Sequence, residues 1–166
     1  MVIGPQAVVL IGPAGAGKTT IGQALARDAG ARFVDADDLH TPENKAKMRR
    51  GEGLTDADRA PWLDRVRARA LEALAAGDTV VVACSALRQS YRDRLAQNDQ
   101  RFLFVYLEVP PEVLAGRLSE RRGHFAGPGL LSSQLATFER PDAALVVDGR
   151  LTVEAQVERI KAAVGF

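Results

Sequence analysis

The sequence predicts one α/β domain of three layers, with a five-stranded parallel sheet between helices on both faces. Three observations carry this. Short apolar runs alternate with longer helical patterns five times over, the pattern of strands that return to parallel neighbours through a crossover helix. The runs at residues 8–11 and, after Thr79, at 80–84 are apolar throughout, as strands covered on both sides should be. The 166 residues fit a single domain, 1–166, with no repeat, linker or low-complexity tail.

Each element has its own signal. Residues 8–11, Val-Val-Leu-Ile, form the first strand. The following helix sets Ile21, Ala24 and Leu25 on one side and stops at Gly30. Residues 32–38 read as a brief second strand ending in carboxylates. Residues 41–60 are polar, with a helix start at Thr41-Pro42-Glu43 and breaks at Gly51 and Gly53. Pro61 is expected to open a longer helix, in which Trp62, Val66, Ala70 and Leu74 recur at i, i+4 spacing before Gly77 ends it. Residues 79–84 are a third strand, 87–95 a basic helix and 102–109 a fourth strand. Pro110-Pro111 starts a helix running to about residue 122. Residues 123–129 have the loosest composition in the chain. A short helix over 130–138, a fifth strand over 144–147 and an amphipathic helix over 151–164 complete the alternation.

Between the first strand and its helix lies Gly12-Pro13-Ala14-Gly15-Ala16-Gly17-Lys18-Thr19, which satisfies G-x-x-x-x-G-K-[ST]. Glycines let successive N–H groups turn inward on a phosphate, and the helix presents its positive end to the same anion. The backbone of Gly12, Ala14, Gly15, Ala16, Gly17 and Thr20 is expected to cradle phosphates. Lys18 supplies charge for the β- and γ-phosphates, and the Thr19 hydroxyl is placed to ligate Mg²⁺. This is a P-loop, and the expected fold is the three-layer P-loop NTPase fold with ATP and Mg²⁺ as cofactors.

Composition narrows the class. A net charge of +1 argues against a general nucleic-acid or membrane surface. No leader-like segment or membrane-length apolar run is read, so the cytoplasm is the expected compartment. The single cysteine, Cys84, excludes an internal disulfide and is expected to be inert packing. A GTP-binding switch would carry N-K-x-D, which Asn44-Lys45-Ala46-Lys47 fails at its last letter. A motor or transport ATPase would show four apolar residues ending in Asp. Phe33-Val34-Asp35 is too short for that, and the run ending at Asp148 lies too near the chain end. A small-molecule kinase remains.

Two clusters support it. Asp35 and Asp37 are two apart in what reads as extended chain, on one face at the carboxyl end of a strand, where open α/β sheets bind ligands. One can hold Mg²⁺ while the other accepts the proton of an attacking hydroxyl; Asp35 is assigned to the metal with Thr19, and Asp37 to the base. Arg117 and Arg121 share a helix face, with Arg122 and His124 following at the lip of a loop whose glycines 123, 127 and 129 would let a lid close, at about residues 122–133. Arg121 is expected to cover the charge of the transferring group, and Arg117 to stack on adenine.

At a finer level, five strings stand out: Asp37-Asp38-Leu39-His40; Asn44-x-x-Lys47-Met48; Leu54-x-Asp56-x-Asp58-Arg59-x-Pro61-Trp62-Leu63; Cys84-Ser85-Ala86-Leu87; and Arg121-Arg122-Gly123-His124-Phe125. Together they strongly resemble the gluconokinase family, whose members transfer the ATP γ-phosphoryl to the 6-hydroxyl of D-gluconate. Kinases of shikimate and of nucleoside monophosphates share only the P-loop, an acidic element and the lid. The likeness spans nearly the whole chain and is most specific over residues 37–63, where this family builds its acceptor pocket.

The resemblance implies acceptor contacts from Asp37, His40, Lys47 and Arg59. Arg59 suits a bidentate grip on a carboxylate. Lys47 reads equally as a solvated helix face, and His40 equally as local packing. Ser85, Arg88 and Arg92, at and after the third strand, are further acceptor-side candidates. Gln134, beyond the lid, is a candidate hydrogen-bond partner for a hydroxyl. Trp62 reads as core rather than sugar platform. The chain departs from the family in a smaller, more glycine-rich lid and in Pro13-Ala14 and Ala16 within the P-loop. A homodimer is expected from the resemblance alone. Two rivals stay open: a kinase of another small hydroxy acid, shikimate- or keto-gluconate-like, and a nucleotide-binding module without turnover.

Overall fold

A computed structural model describes residues 4–120 and 128–166, with side chains from residue 131 onward in the second segment. Five strands, β1 (Ala7–Ile11), β2 (Arg32–Asp35), β3 (Val80–Ala83), β4 (Phe102–Glu108) and β5 (Leu145–Asp148), pair in the order β2-β3-β1-β4-β5. Every pair is parallel; Val9 of the central β1 lies between Val82 and Phe104.

The three layers follow from β1's alternation. Val8 and Leu10 point to one side, into a core with Ile21 and Leu25 of α1 (Lys18–Ala29), Leu114 and Leu118 of α5 (Pro111–Ser119) and Ile160 of α7 (Val153–Val164). Ala7, Val9 and Ile11 point to the other, against Trp62, Leu63 and Val66 of α3 (Asp56–Ala75) and Tyr91 and Leu95 of α4 (Gln89–Ala96). All five β1 side chains are buried, so apolar residues at successive positions are what a strand with two covered faces requires. Cys84, just past β3, is buried in the second core.

Two expected boundaries are corrected. The second strand ends at Asp35, and residues Ala36–Leu39 form a 3₁₀ turn. The Asp35 carboxylate accepts the Asp37 N–H at 3.0 Å, capping the turn, and Ala36 is drawn into the core. The long helix begins at Asp56 rather than Pro61. Thr55 caps it by accepting from the Asp58 N–H, while the Asp58 carboxylate accepts the Thr55 N–H, a reciprocal capping box. Pro61 therefore lies inside α3. Its ring leaves the Ala57 carbonyl unpaired within the helix, and Ala57 is exposed to water that can serve it.

Helix α2 (Pro42–Arg49) starts with Thr41 as its cap, as expected. Of the expected lid, residues 122–127 lie outside the described residues, and the remainder opens α6 (Pro128–Thr137), whose Leu131 is buried in the first core. No helix among the described residues is long and apolar enough to cross a membrane.

Candidate active site

Strand β1 delivers the P-loop to the centre of the sheet's carboxyl edge. Gly15 (φ +88°) and Gly17 (φ +102°) adopt backbone conformations that L side chains rarely take, and Gly17 caps α1 from the left-handed region. The Ala16 N–H turns back to the Pro13 carbonyl, and the Gly12 N–H bonds to Ser85 O. The N–H groups of Gly15, Gly17, Thr19 and Thr20 find no protein acceptor among the described residues, which is the donor set an anion would meet at a helix start. Lys18 Nζ donates to the Gly12 and Pro13 carbonyls at 2.8 and 2.9 Å, so its ammonium arches over the loop.

The cleft above the loop is open to solvent at its mouth. It gathers Lys18, Thr19 and Thr20 with Asp35, Asp37, His40, Arg59, Ser85 and Gln134. The sequence-predicted residues thus come together from the ends of β1, β2 and β3 and from α3 and α6. Asp35 and Asp37 reach the cleft by a different route from the extended pairing expected of them. Asp35 ends the strand and Asp37 stands on the 3₁₀ turn.

Thr19 Oγ1 donates to Asp35 Oδ2 at 3.0 Å, setting two hard oxygen donors side by side at the end of the P-loop. That donor chemistry fits Mg²⁺ shared with nucleotide phosphates. Among the described residues there is no group of three or more His, Cys, Asp or Glu able to hold a metal by itself. Asp37 is exposed to the open cleft. Desolvation by the protein around it raises its carboxyl above the ordinary aspartate value of 3.8; Lys18 pulls it back, and Asp35 and Asp38 push it further up.

On the acceptor side, Trp62 anchors the turn by donating Nε1–H to Ala36 O at 2.6 Å, and its ring stacks on His40 at 4.0 Å and 15°. Trp62 is core, as read, and also the platform that orients His40. Burial, with Arg65, Arg59 and Lys45 nearby, pushes the His40 imidazole down to about 4, so it is neutral at pH 7. Its Nδ1 is buried with no protein partner among the described residues.

Arg59 Nη1 donates to Tyr91 Oη at 2.9 Å, with its guanidinium 5.2 Å from the Tyr91 ring centroid; Tyr91 in turn donates to the Asp56 carboxylate. Sequence reasoning missed Tyr91 and Asp56 as the supports of Arg59. Asp56 lay within a string already singled out, but Tyr91 has no local signal because its role arises from the packing of α4 on α3. Met48, Leu54 and Leu87, each within one of the family strings but given no role there, form apolar parts of the lining.

Several candidates are placed elsewhere. Arg92 is not an acceptor contact: it is 1% exposed and holds the β3–α4 connection together. Its Nε donates to Ala86 O and its Nη2 to Leu87 O, each at 2.9 Å, and Nη2 also reaches Glu139 O. A guanidinium removed from water needs its donors satisfied, and these carbonyls do so together with Gln89 Oε1, which accepts from Nη1 at 2.9 Å. Arg88 is exposed at the N-terminus of α4 and does not line the cleft. Lys47 pairs with Asp58 at 2.9 Å, bracing the capping box from outside the cleft lining. Arg117 donates to the Gly15 and Gly149 carbonyls at 2.9 and 2.8 Å, joining the P-loop to the turn before α7. Gln134 Oε1 accepts the Ala14 N–H at 2.7 Å. Arg121 lies outside the described residues.

Fold and site together define a P-loop kinase that transfers a phosphoryl group to an alcohol. The family model AAA_33, described as an AAA domain, matches residues 8–141. The gluconokinase of Gluconobacter oxydans is 45% identical over 82% of this chain and 77% of that protein. The chain belongs to the gluconokinase family. Among solved structures, a gluconokinase from Sinorhizobium meliloti superposes with a TM-score of 0.84 at 39% identity, covering 97% of this chain and 92% of that one. An unliganded sugar kinase from Janibacter sp. HTCC2649 does so with a TM-score of 0.90 at 41% identity, covering 97% and 95%.

Proposed function

We propose that this protein phosphorylates the 6-hydroxyl of D-gluconate from Mg-ATP, giving 6-phospho-D-gluconate and ADP. The observation that carries the reading is Asp37 in one cleft with the P-loop lysine, beside the neutral His40 and the braced Arg59. Asp37 accepts the proton as the 6-oxygen bonds to the γ-phosphorus, while the bond from that phosphorus to the bridging oxygen breaks and its electron pair leaves with ADP. Lys18 follows charge onto the β- and γ-oxygens. Thr19 and Asp35 would hold Mg²⁺, which would supply neutralisation of phosphate charge.

Arg59 is assigned to the gluconate carboxylate, and His40, Ser85 and Gln134 to its hydroxyls. A polyol acid needs one cation and a row of neutral hydrogen bonders, which these side chains supply. Arg121 keeps its assigned role on the transferring group, and Arg117 its adenine face, since in-plane hydrogen bonds orient a guanidinium without using that face. The lid over residues 122–133 and the acceptor segment over 37–63 belong to the same reading. A homodimer rests on the family resemblance and is checked by light scattering; cytoplasmic residence is checked by cell fractionation.

The test is ADP release from Mg-ATP with D-gluconate, keto-gluconates, shikimate and glycerate as acceptors. Saturable stimulation by gluconate above the others is expected. Stimulation by another acid instead would discard the acceptor, and binding of ATP with no stimulation by any would discard the kinase reading.

A further inference from the structure

Helix α6 touches both halves of the site at adjacent residues. Gln134 Oε1 takes the N–H of Ala14, the third residue of the P-loop, at 2.7 Å across 120 positions of sequence. One residue earlier, Ser133 closes on the acceptor segment so tightly that a Cβ at Gly53 would lie 2.6 Å from its Oγ. Leu54, next to Gly53, shares a core with Leu131 and Leu135 of the same helix. The P-loop and the acceptor segment therefore meet through a packed helix, and Gln134 faces the cleft between them.

An amide has two ends with opposite chemistry. The oxygen of Gln134 is engaged by the P-loop, and among the described residues its NH₂ group has no hydrogen bond to protein. Building on the gluconate-kinase reading above, we infer that Gln134 is a positioning residue that couples the two substrates: its oxygen holds the P-loop at Ala14 while its NH₂ donates to a hydroxyl of the bound acceptor. Either substrate then fixes the amide for the other. A P-loop shaped by nucleotide orients the NH₂ towards the polyol, and a bound polyol stiffens the entrance of the P-loop. By linkage each substrate raises the affinity for the other by the same factor.

The experiment measures that factor by calorimetry, as gluconate affinity with and without Mg-AMPPNP, in wild type, Gln134→Leu and Gln134→Glu. Gluconate-dependent ADP release and thermal unfolding are measured on the same three proteins. In wild type the nucleotide analogue should tighten gluconate about fivefold or more, the usual scale of site-to-site coupling. Gln134→Leu lacks both ends of the amide, and its factor should fall to about one, with kcat lowered more than either substrate's affinity. Gln134→Glu keeps an oxygen for Ala14 but has no donor and adds negative charge, so its factor should fall below one. It serves as the folded control should the leucine variant melt early.

An undiminished factor in either folded variant, or no coupling in wild type, overturns the inference while gluconate turnover leaves the kinase reading standing. Failure of wild type to release ADP on gluconate brings down that reading, and this inference with it.

Discussion

Asp37 carries two opposed demands. It must ionise to take a proton, yet its surroundings favour the protonated form. Replacing it by Asn should lower kcat by about 10² or more, the scale of general-base loss, with ATP affinity little changed. The same change should raise the melting temperature at neutral pH. A carboxyl whose folded pKa lies above its unfolded value is destabilising once the pH exceeds both, and that penalty disappears below about pH 3.8, where both states are protonated. Equal melting of Asp37→Asn and wild type at pH 7 would contradict the burial argument. Arg59 offers a second check at this scale. Tyr91→Phe keeps the ring under the guanidinium but deletes the hydroxyl that orients it, so KM for gluconate should rise about three- to tenfold with kcat nearly unchanged. Lys18, Asp37, His40 and Arg59, which line one cleft, could be picked out because they sit in short local strings, the last two in strings that carry the family resemblance. The Tyr91–Asp56 support could not, since no spacing in one segment announces a contact between two helices.

At the scale of elements, packing set the boundaries that local patterns misplaced. Pro61 looked like a helix start because proline is favoured there, but the reciprocal Thr55–Asp58 cap secures the chain six residues earlier. The D-x-D stretch looked extended because alternating residues share a face. The Asp35 side chain instead closes a turn on the Asp37 N–H. Both errors come from side-chain capping of backbone N–H groups, which binary patterning does not weigh. The fit of α1 on β2 gives the prediction for this scale. Gly22 is buried, and a Cβ there would lie 2.6 Å from Phe33 Cε1. Gly22→Ala should destabilise by about 1–3 kcal/mol through overpacking, read as a lower denaturation midpoint. Gly30→Asn, at a left-handed helix end with open space around it, should be nearly neutral and serves as the control.

For the molecule as a whole, five parallel strands were legible in the sequence, but their order across the sheet was not. Alternation predicts a parallel sheet; only pairing places β1 in the middle, with β3 on one side and β4 on the other. That central place makes the P-loop the hub to which every other loop at the carboxyl edge can reach. The stability of the whole should also fall between pH 6.5 and about 4. His40 resists protonation in the fold down to about 4, whereas the unfolded chain takes the proton near 6.5, so acid favours unfolding across that window. His40→Gln should lose less melting temperature than wild type between pH 7 and pH 5; an identical loss would remove His40 from the account. One further property follows from Cys84, the single cysteine. Its thiol is fully enclosed, and burial pushes it up to about 12, so the nucleophilic thiolate is essentially absent at neutral pH. The wild-type background is therefore silent to maleimide and disulfide reagents. A cysteine placed at an exposed position such as Ala136 on α6 would accept a fluorophore at that one site, allowing the helix to be followed during turnover without first removing a native thiol.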